Sequence, residues 1–183
     1  MAKWFFEPGH TEAEFKARHM MVTWVRGLFK NIEGTLDFDP ARPELMSFQT
    51  QIEARTLWTG VQQRDDHLRS ADFLDVEHHP YITYKSTAVR PVGETEYVVD
   101  GDLTIRDTTK NVPLHVTYLG QWDTPWWEDG VDKGPKRRAG FAARARINRY
   151  DFGVNWNDVV PRNGIVVSEE IEITIDVEAI HEE

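Results

Sequence analysis

Side-chain character along this chain changes every second residue, the period of a strand with one buried face and one wet face. From Ile171 to Ala179 the odd positions Ile171, Ile173, Ile175, Val177 and Ala179 are apolar, and the even ones are Glu172, Thr174, Asp176 and Glu178. The same test groups Ala13, Phe15, Ala17 and His19, then Leu36 and Phe38, then Phe48, Thr50, Ile52 and Ala54, then Ile82, Tyr84, Ser86 and Ala88. Tyr97, Val99, Gly101, Leu103 and Ile105 continue it. After a break at Asp107 to Lys110, which suggests a hairpin, Val112, Leu114, Val116 and Tyr118 resume the pattern, and Ala139, Phe141, Ala143, Ala145 and Ile147 repeat it. About eight antiparallel strands result, the number at which a sheet closes into a barrel that holds one small ligand.

Two stretches interrupt the alternation. Arg55 to Pro80 is too long for a hairpin turn; Thr59 stands three residues before Gln62 in capping-box spacing, and the polar run after it suits a short helix over one end of the barrel. Trp122 to Pro135 mixes Trp126, Trp127, Gly130, Gly134 and Pro135 with acids and reads as a loop with aromatic anchors.

A chain of 183 residues suits one domain, expected over residues 1–183. It has no cysteine, which excludes disulfides, thiolate metal sites and a cysteine nucleophile. The net charge of −10 opposes binding to phosphate backbones. One basic block, Lys133, Lys136, Arg137, Arg138, Arg144, Arg146 and Arg149, faces a following strand rich in Glu169, Glu170, Glu172, Asp176, Glu178, Glu182 and Glu183. Cross-strand pairing between the two accounts for the block, so no nucleic-acid partner is expected. No window reaches the roughly 20 apolar residues of a transmembrane helix. Met1 to Phe6 lack the pattern of a secretory signal, so the chain as it stands is expected to be cytoplasmic, or periplasmic or secreted if a leader was removed.

Many inward positions are small, including Ala17, Ala143 and Ala145, and small residues facing a barrel interior set a bore unless large neighbours fill it. The expected apolar lining is Phe15, Phe38, Phe48, Ile52, Tyr84, Leu103, Ile105, Leu114, Val116, Tyr118, Phe141 and Ile173, with Trp58, Leu68 and Phe73 closing one end from the cap. His19 follows the inward register and offers a polar contact to a headgroup. His67, beside Arg64 and Asp65, reads as part of a set that ties down the cap; no second histidine stands at metal-ligand spacing from it. No nucleophile elbow, phosphate-binding glycine loop or zinc helix is present, so no catalytic residue, metal ligand or cofactor is assigned.

The motifs Phe15-x-x-Arg18-His19-Met20, Val25-Arg26-Gly27-x-Phe29, Arg64-Asp65-x-His67-Leu68-x-Ser70-x-Asp72-Phe73, Pro80-x-Ile82-Thr83-Tyr84-x-Ser86, Gly101-Asp102-Leu103-Thr104-Ile105 and Asn148-Arg149-x-Asp151-Phe152-Gly153 resemble those of the YceI family in order, nearly end to end. The resemblance implies an all-β fold, an extended eight-stranded antiparallel β-barrel, lipocalin-like, with short helical segments between strands. It further implies a long pocket for a polyisoprenoid, an isoprenoid quinone or a fatty-acid derivative, transport or sequestration of that lipid, and a homodimer as a common assembly. Asp107 stands where relatives commonly carry glycine, which points to a different turn there. The alternative expectation is an enzyme acting on a lipid or isoprenoid, with His67 or His19 as its acid or base.

Overall fold

The computed structural model describes residues 1–161 and 164–182. Glu183, which the sequence places among the acids of the last strand, lies outside the described residues. The strands are β1 (Ala2–Phe6), β2 (Glu12–His19), β3 (Thr23–Phe29), β4 (Ile32–Phe38), β5 (Ser47–Glu53), β6 (Tyr81–Pro91), β7 (Glu96–Ile105) and β8 (Thr108–Asn111). They continue as β9 (Leu114–Glu128), β10 (Val131–Asn148), the short β11 (Val159–Val160) and β12 (Gly164–Ile165), and β13 (Glu170–His181). One α-helix, α1 (Gln62–Arg69), lies in the long connection between β5 and β6.

Eight strands form a ring in the order β1-β4-β5-β6-β7-β9-β10-β13, and β1 closes it by pairing with β13 through Trp4↔His181 and Phe6↔Ala179. Where β1 leaves β13, the β2–β3 hairpin takes its place, with Ile173↔Phe15 and Ile175↔Ala13 in register. Closure between β1 and β13 limits exposed backbone edges, the general solution to edge pairing in a sheet, while β3 keeps an outer edge bridged at Leu28 by Trp58. The period-two reading carries over: Ile171, Ile173, Ile175 and Val177 face inward on β13, and Ala143, Ala145 and Ile147 do so on β10. Outside, the basic and acidic strands pair as expected, with Arg138 Nη1 2.8 Å from Glu178 and Arg146 Nη2 3.6 Å from Glu172.

Four expectations change. The stretch Trp122 to Pro135 is a ribbon: β9 and β10 run on past the ring, paired as Arg138↔Trp122 and Val131↔Glu128. Asp129 and Gly130, both at positive φ, make its two-residue turn, which suits Asp-Gly; Gly134 and Pro135 belong to an irregularity in β10. Ala88 is exposed, because a bulge between Ser86 and Ala88 shifts the register of β6. The capping box does not form, since α1 starts after Val61 with no side-chain cap, and Thr59 instead engages Asp65. Between β7 and β8 the left-handed residue is Arg106 at φ 55°, not Asp107, and its guanidinium donates to Gly153 O at 3.1 Å.

Candidate ligand-binding site

Aromatic rings inside a barrel normally fill it. Here several lie flat on the wall because the neighbouring strand carries glycine: a Cβ on Gly27 would overlap Phe15, one on Gly34 would overlap Phe6, and one on Gly101 would overlap Tyr84. The missing side chains make room for the rings, which leaves the axis of the barrel open. Tyr84 is fixed in this position by its hydroxyl, 3.0 Å from both Val99 O and Val112 O, and by stacking on Phe48 at 5.4 Å. Burial pushes the pKa of that hydroxyl well above the ordinary tyrosine value, so it stays a neutral donor.

The result is an internal cavity of about 240 Å³. At one end Phe38, Tyr118 and Phe141 pack with ring centroids 5.0 to 5.4 Å apart and form a floor. At the other end the cap contributes Leu57, Leu68, Phe73 and Leu74, joined by Phe152 and Val154. The exposed lining is apolar throughout. An apolar cavity of about 150 Å³ in another protein stays dry and takes up benzene, so this larger one favours an apolar guest over water.

Arg64, Asp65 and His67 do not tie the cap to the strands as expected; their bonds run within the cap itself. Asp65 is buried and accepts from Thr59 N at 2.9 Å and from the Thr59 hydroxyl, while Arg64 Nε donates to that hydroxyl at 2.7 Å. His67 Nε2 lies 2.8 Å from Asp72, with its ring edge-on to Phe73 and Trp156. Neither His67 nor His19 is on the cavity wall.

Phe15, Ala17, Phe48, Ile52, Leu68, Phe73, Tyr84, Leu103, Ile105, Leu114, Val116, Phe141, Ala143, Ala145 and Ile173 do line the cavity. Four expected residues do not. Phe38 is fully buried within the floor, beneath Phe141 and away from the cavity surface, and Tyr118 packs beside it. Trp58 is 57 % exposed, because its backbone pairs with Leu28 along the edge of β3 and turns its side chain outward. His19 ends β2 in a bridge to Val167, and Val167 takes the wall position.

By sequence Arg149 belongs to the basic block expected to pair with the acidic last strand, but the structure buries it at the cap end of the cavity. Its Nε donates to Ser168 O at 2.9 Å, Nη1 to Val154 O and Trp156 O at 2.7 and 2.8 Å, and Nη2 to Val167 O at 3.2 Å, with the Tyr150 hydroxyl at 3.5 Å. No polar atom of it is left to face the cavity, and burial lowers its pKa from the ordinary arginine value. The period-two signal contained this position, since Arg149 follows Ala143, Ala145 and Ile147 in the inward register. Outside the barrel, Glu7, His10 and Glu178 bring potential metal ligands within 4.8 Å of one another, but Arg138 already supplies a cation to Glu178.

The family model for the YceI-like domain matches residues 4–179. This chain belongs to the YceI-like family. It is 35% identical over 176 residues to protein YceI of Escherichia coli O157:H7, covering 96% of this chain and 84% of the relative. A UPF0312 protein of Azotobacter vinelandii is 31% identical over 176 residues, with the same coverage of 96% and 84%. Among solved structures, the Campylobacter jejuni YceI protein superposes with a TM-score of 0.74 at 27% identity, covering 91% of this chain and 90% of that one. Burkholderia cenocepacia BcnA, at 22% identity, shares the fold with a TM-score of 0.77 over 94% of this chain and 98% of its own. The fold of this YceI-like chain is thus that of an eight-stranded barrel built to keep a cavity.

Proposed function

We propose that this YceI-like protein binds one long-chain amphiphilic lipid in its barrel, of the polyisoprenoid, isoprenoid-quinone or fatty-acid class, and sequesters or transports it. The observation that carries the reading is the cavity whose exposed lining has no polar atom, because such a site selects by apolar area, at about 25 cal/mol per Å², and not by hydrogen-bond readout. A domain from Saccharophagus degradans described as polyisoprenoid binding shares the fold, at 11% identity and a TM-score of 0.65, and lends support to the lipid class. A binding role without catalysis fits the wall, which neither His67 nor His19 reaches. Among the described residues no helix is long and apolar enough to cross a membrane.

Mass spectrometry of an organic extract from the folded protein tests the reading. A stoichiometric long-chain isoprenoid, quinone or acyl species is the expected result, and it should persist in His67→Ala. An empty extract with no uptake of added lipid would overturn it.

A further inference from the structure

The β2–β3 hairpin ends in a turn that its residues do not favour. His19 O accepts from Val22 N–H at 3.1 Å, and the two residues between, Met20 and Met21, sit at φ 48° and 60°. His19 pairs with Thr23, so the loop has three residues, and its first two are both left-handed, a conformation that favours Asn and Gly. Here methionines occupy it, held by Met20 N–H donating to Val166 O at 2.7 Å. Three consecutive apolar side chains therefore face water, Met20 and Met21 each 44 % exposed and Val22 80 %.

Below this apex lies Trp24, with Lys16 Nζ 4.8 Å and the Arg18 guanidinium 4.5 Å from its ring centroid. Lys16 also reaches Glu172 at 2.7 Å, whereas Arg18 makes no ion pair among the described residues. An apolar tip above a collar of tryptophan and snorkelling cations matches the layering of a bilayer surface, with acyl chains first and phosphates beside them. A second copy of the chain is a poorer fit, since three side chains fall far short of the roughly 800 Å² per partner that a stable interface buries. With a net charge of −10, an anionic surface has to be met where an exposed cation stands without an acidic partner, as Arg18 does among the described residues. The hairpin also leaves the cavity wall at Ala17 and Val167, so the apex stands just beyond the cap end of the barrel.

We propose that Met20, Met21 and Val22, backed by Trp24 and Arg18, form a wedge that docks the cap end of the barrel on a phospholipid surface containing anionic headgroups. The inference goes beyond the content of the cavity and needs no ligand there.

The test is co-sedimentation with vesicles of phosphatidylcholine, with and without phosphatidylglycerol, comparing the full chain with Met20→Asn/Met21→Gly. That double variant removes the apolar tip while giving the turn the residues its φ values favour, so it should melt no lower than the parent. Vesicle binding should fall about tenfold or more, as expected for losing two inserted methionine side chains. In Arg18→Ala, binding should weaken on the anionic vesicles and change little on the neutral ones. Equal binding by the parent and the double variant would overturn the wedge, and so would failure of the parent to bind vesicles. A parent dimer in sedimentation equilibrium that the double variant abolishes, without vesicle binding, would overturn it in favour of contact between copies. Vesicle binding with an empty lipid extract would count against the cavity reading alone, and a loaded protein that ignores vesicles would count against the wedge alone.

Discussion

Arg149 shows how one side chain can organise one end of a barrel. Each of its N–H groups is directed at a carbonyl or hydroxyl of the segments that cover the cavity, among them Val154, Trp156 and Ser168. Replacement by methionine keeps apolar bulk but leaves several buried carbonyls without donors, at about 1–3 kcal/mol for each such group. Arg149→Met should therefore lose at least about 3 kcal/mol in urea unfolding, and Arg149→Lys should recover little of it, since one ammonium cannot span the same acceptors. A second local device lies on the surface of the cap, where His78 Nδ1 is 2.9 Å from Asp75 Oδ1. The hydrogen bond from His78 holds the Asp75 carboxyl below its ordinary pKa, and Asp75 holds the imidazole above its ordinary 6.5. The Asp75 contribution is present above its unfolded pKa and fades as pH falls through the lowered folded value. That of His78 is present below its unfolded pKa and fades as pH rises through the raised one, so the pair acts only in the window between the two folded values. An NMR titration should find His78 titrating above 6.5 in the parent and lower in Asp75→Asn, and added salt should narrow the difference because His78 is exposed.

Strands in this sheet are shaped by pairs in which a ring on one strand covers a glycine on the next. Tyr84 over Gly101 is the most constrained, because the ring is fixed at its hydroxyl and stacked on Phe48, and cannot swing aside. Gly101→Ala should cost about 1–3 kcal/mol by overpacking. The same change in a Tyr84→Ala background should cost close to nothing, and a double-mutant cycle of thermal or chemical unfolding reads the difference. These elements were legible in the sequence wherever the outer face is polar, as on β13 and β10. They were not where large apolar residues also stand on the outer face: in β3, Trp24 and Leu28 flank Arg26 opposite the face of Gly27 and Phe29, and the two are covered by cations and by the Trp58 segment. β1 hides for the same reason, since Trp4, Phe5 and Phe6 are consecutive and only Trp4 and Phe6 are buried. The ribbon of β9 and β10 hides differently. It stands beyond the ring, so nothing imposes an inside and an outside, and its alternation disappears although its backbone pairing continues.

At the scale of the molecule, function depends on a volume that no single strand encloses. The sequence could mark which residues face inward, because parity is local. It could not say that Phe15 and Tyr84 lie along the wall while Phe38 and Tyr118 close the floor, because that choice is made by glycines and rings on neighbouring strands. Ala143 is where the two kinds of information meet, a small inward residue on β10, paired with Ile175 and lining the cavity. Ala143→Phe would place a ring in the bore with no glycine opposite to receive it. The variant should fold with a loss of about 1–3 kcal/mol, as overpacked interiors do. Its extract should contain markedly less lipid than the parent's, and added lipid should raise its melting temperature less, since a ligand stabilises only in proportion to its binding. A variant that is destabilised yet carries a full load would place the ligand elsewhere. One that keeps its stability and loses its load would show that the bore was empty space held open for a guest, at no structural benefit to the barrel itself.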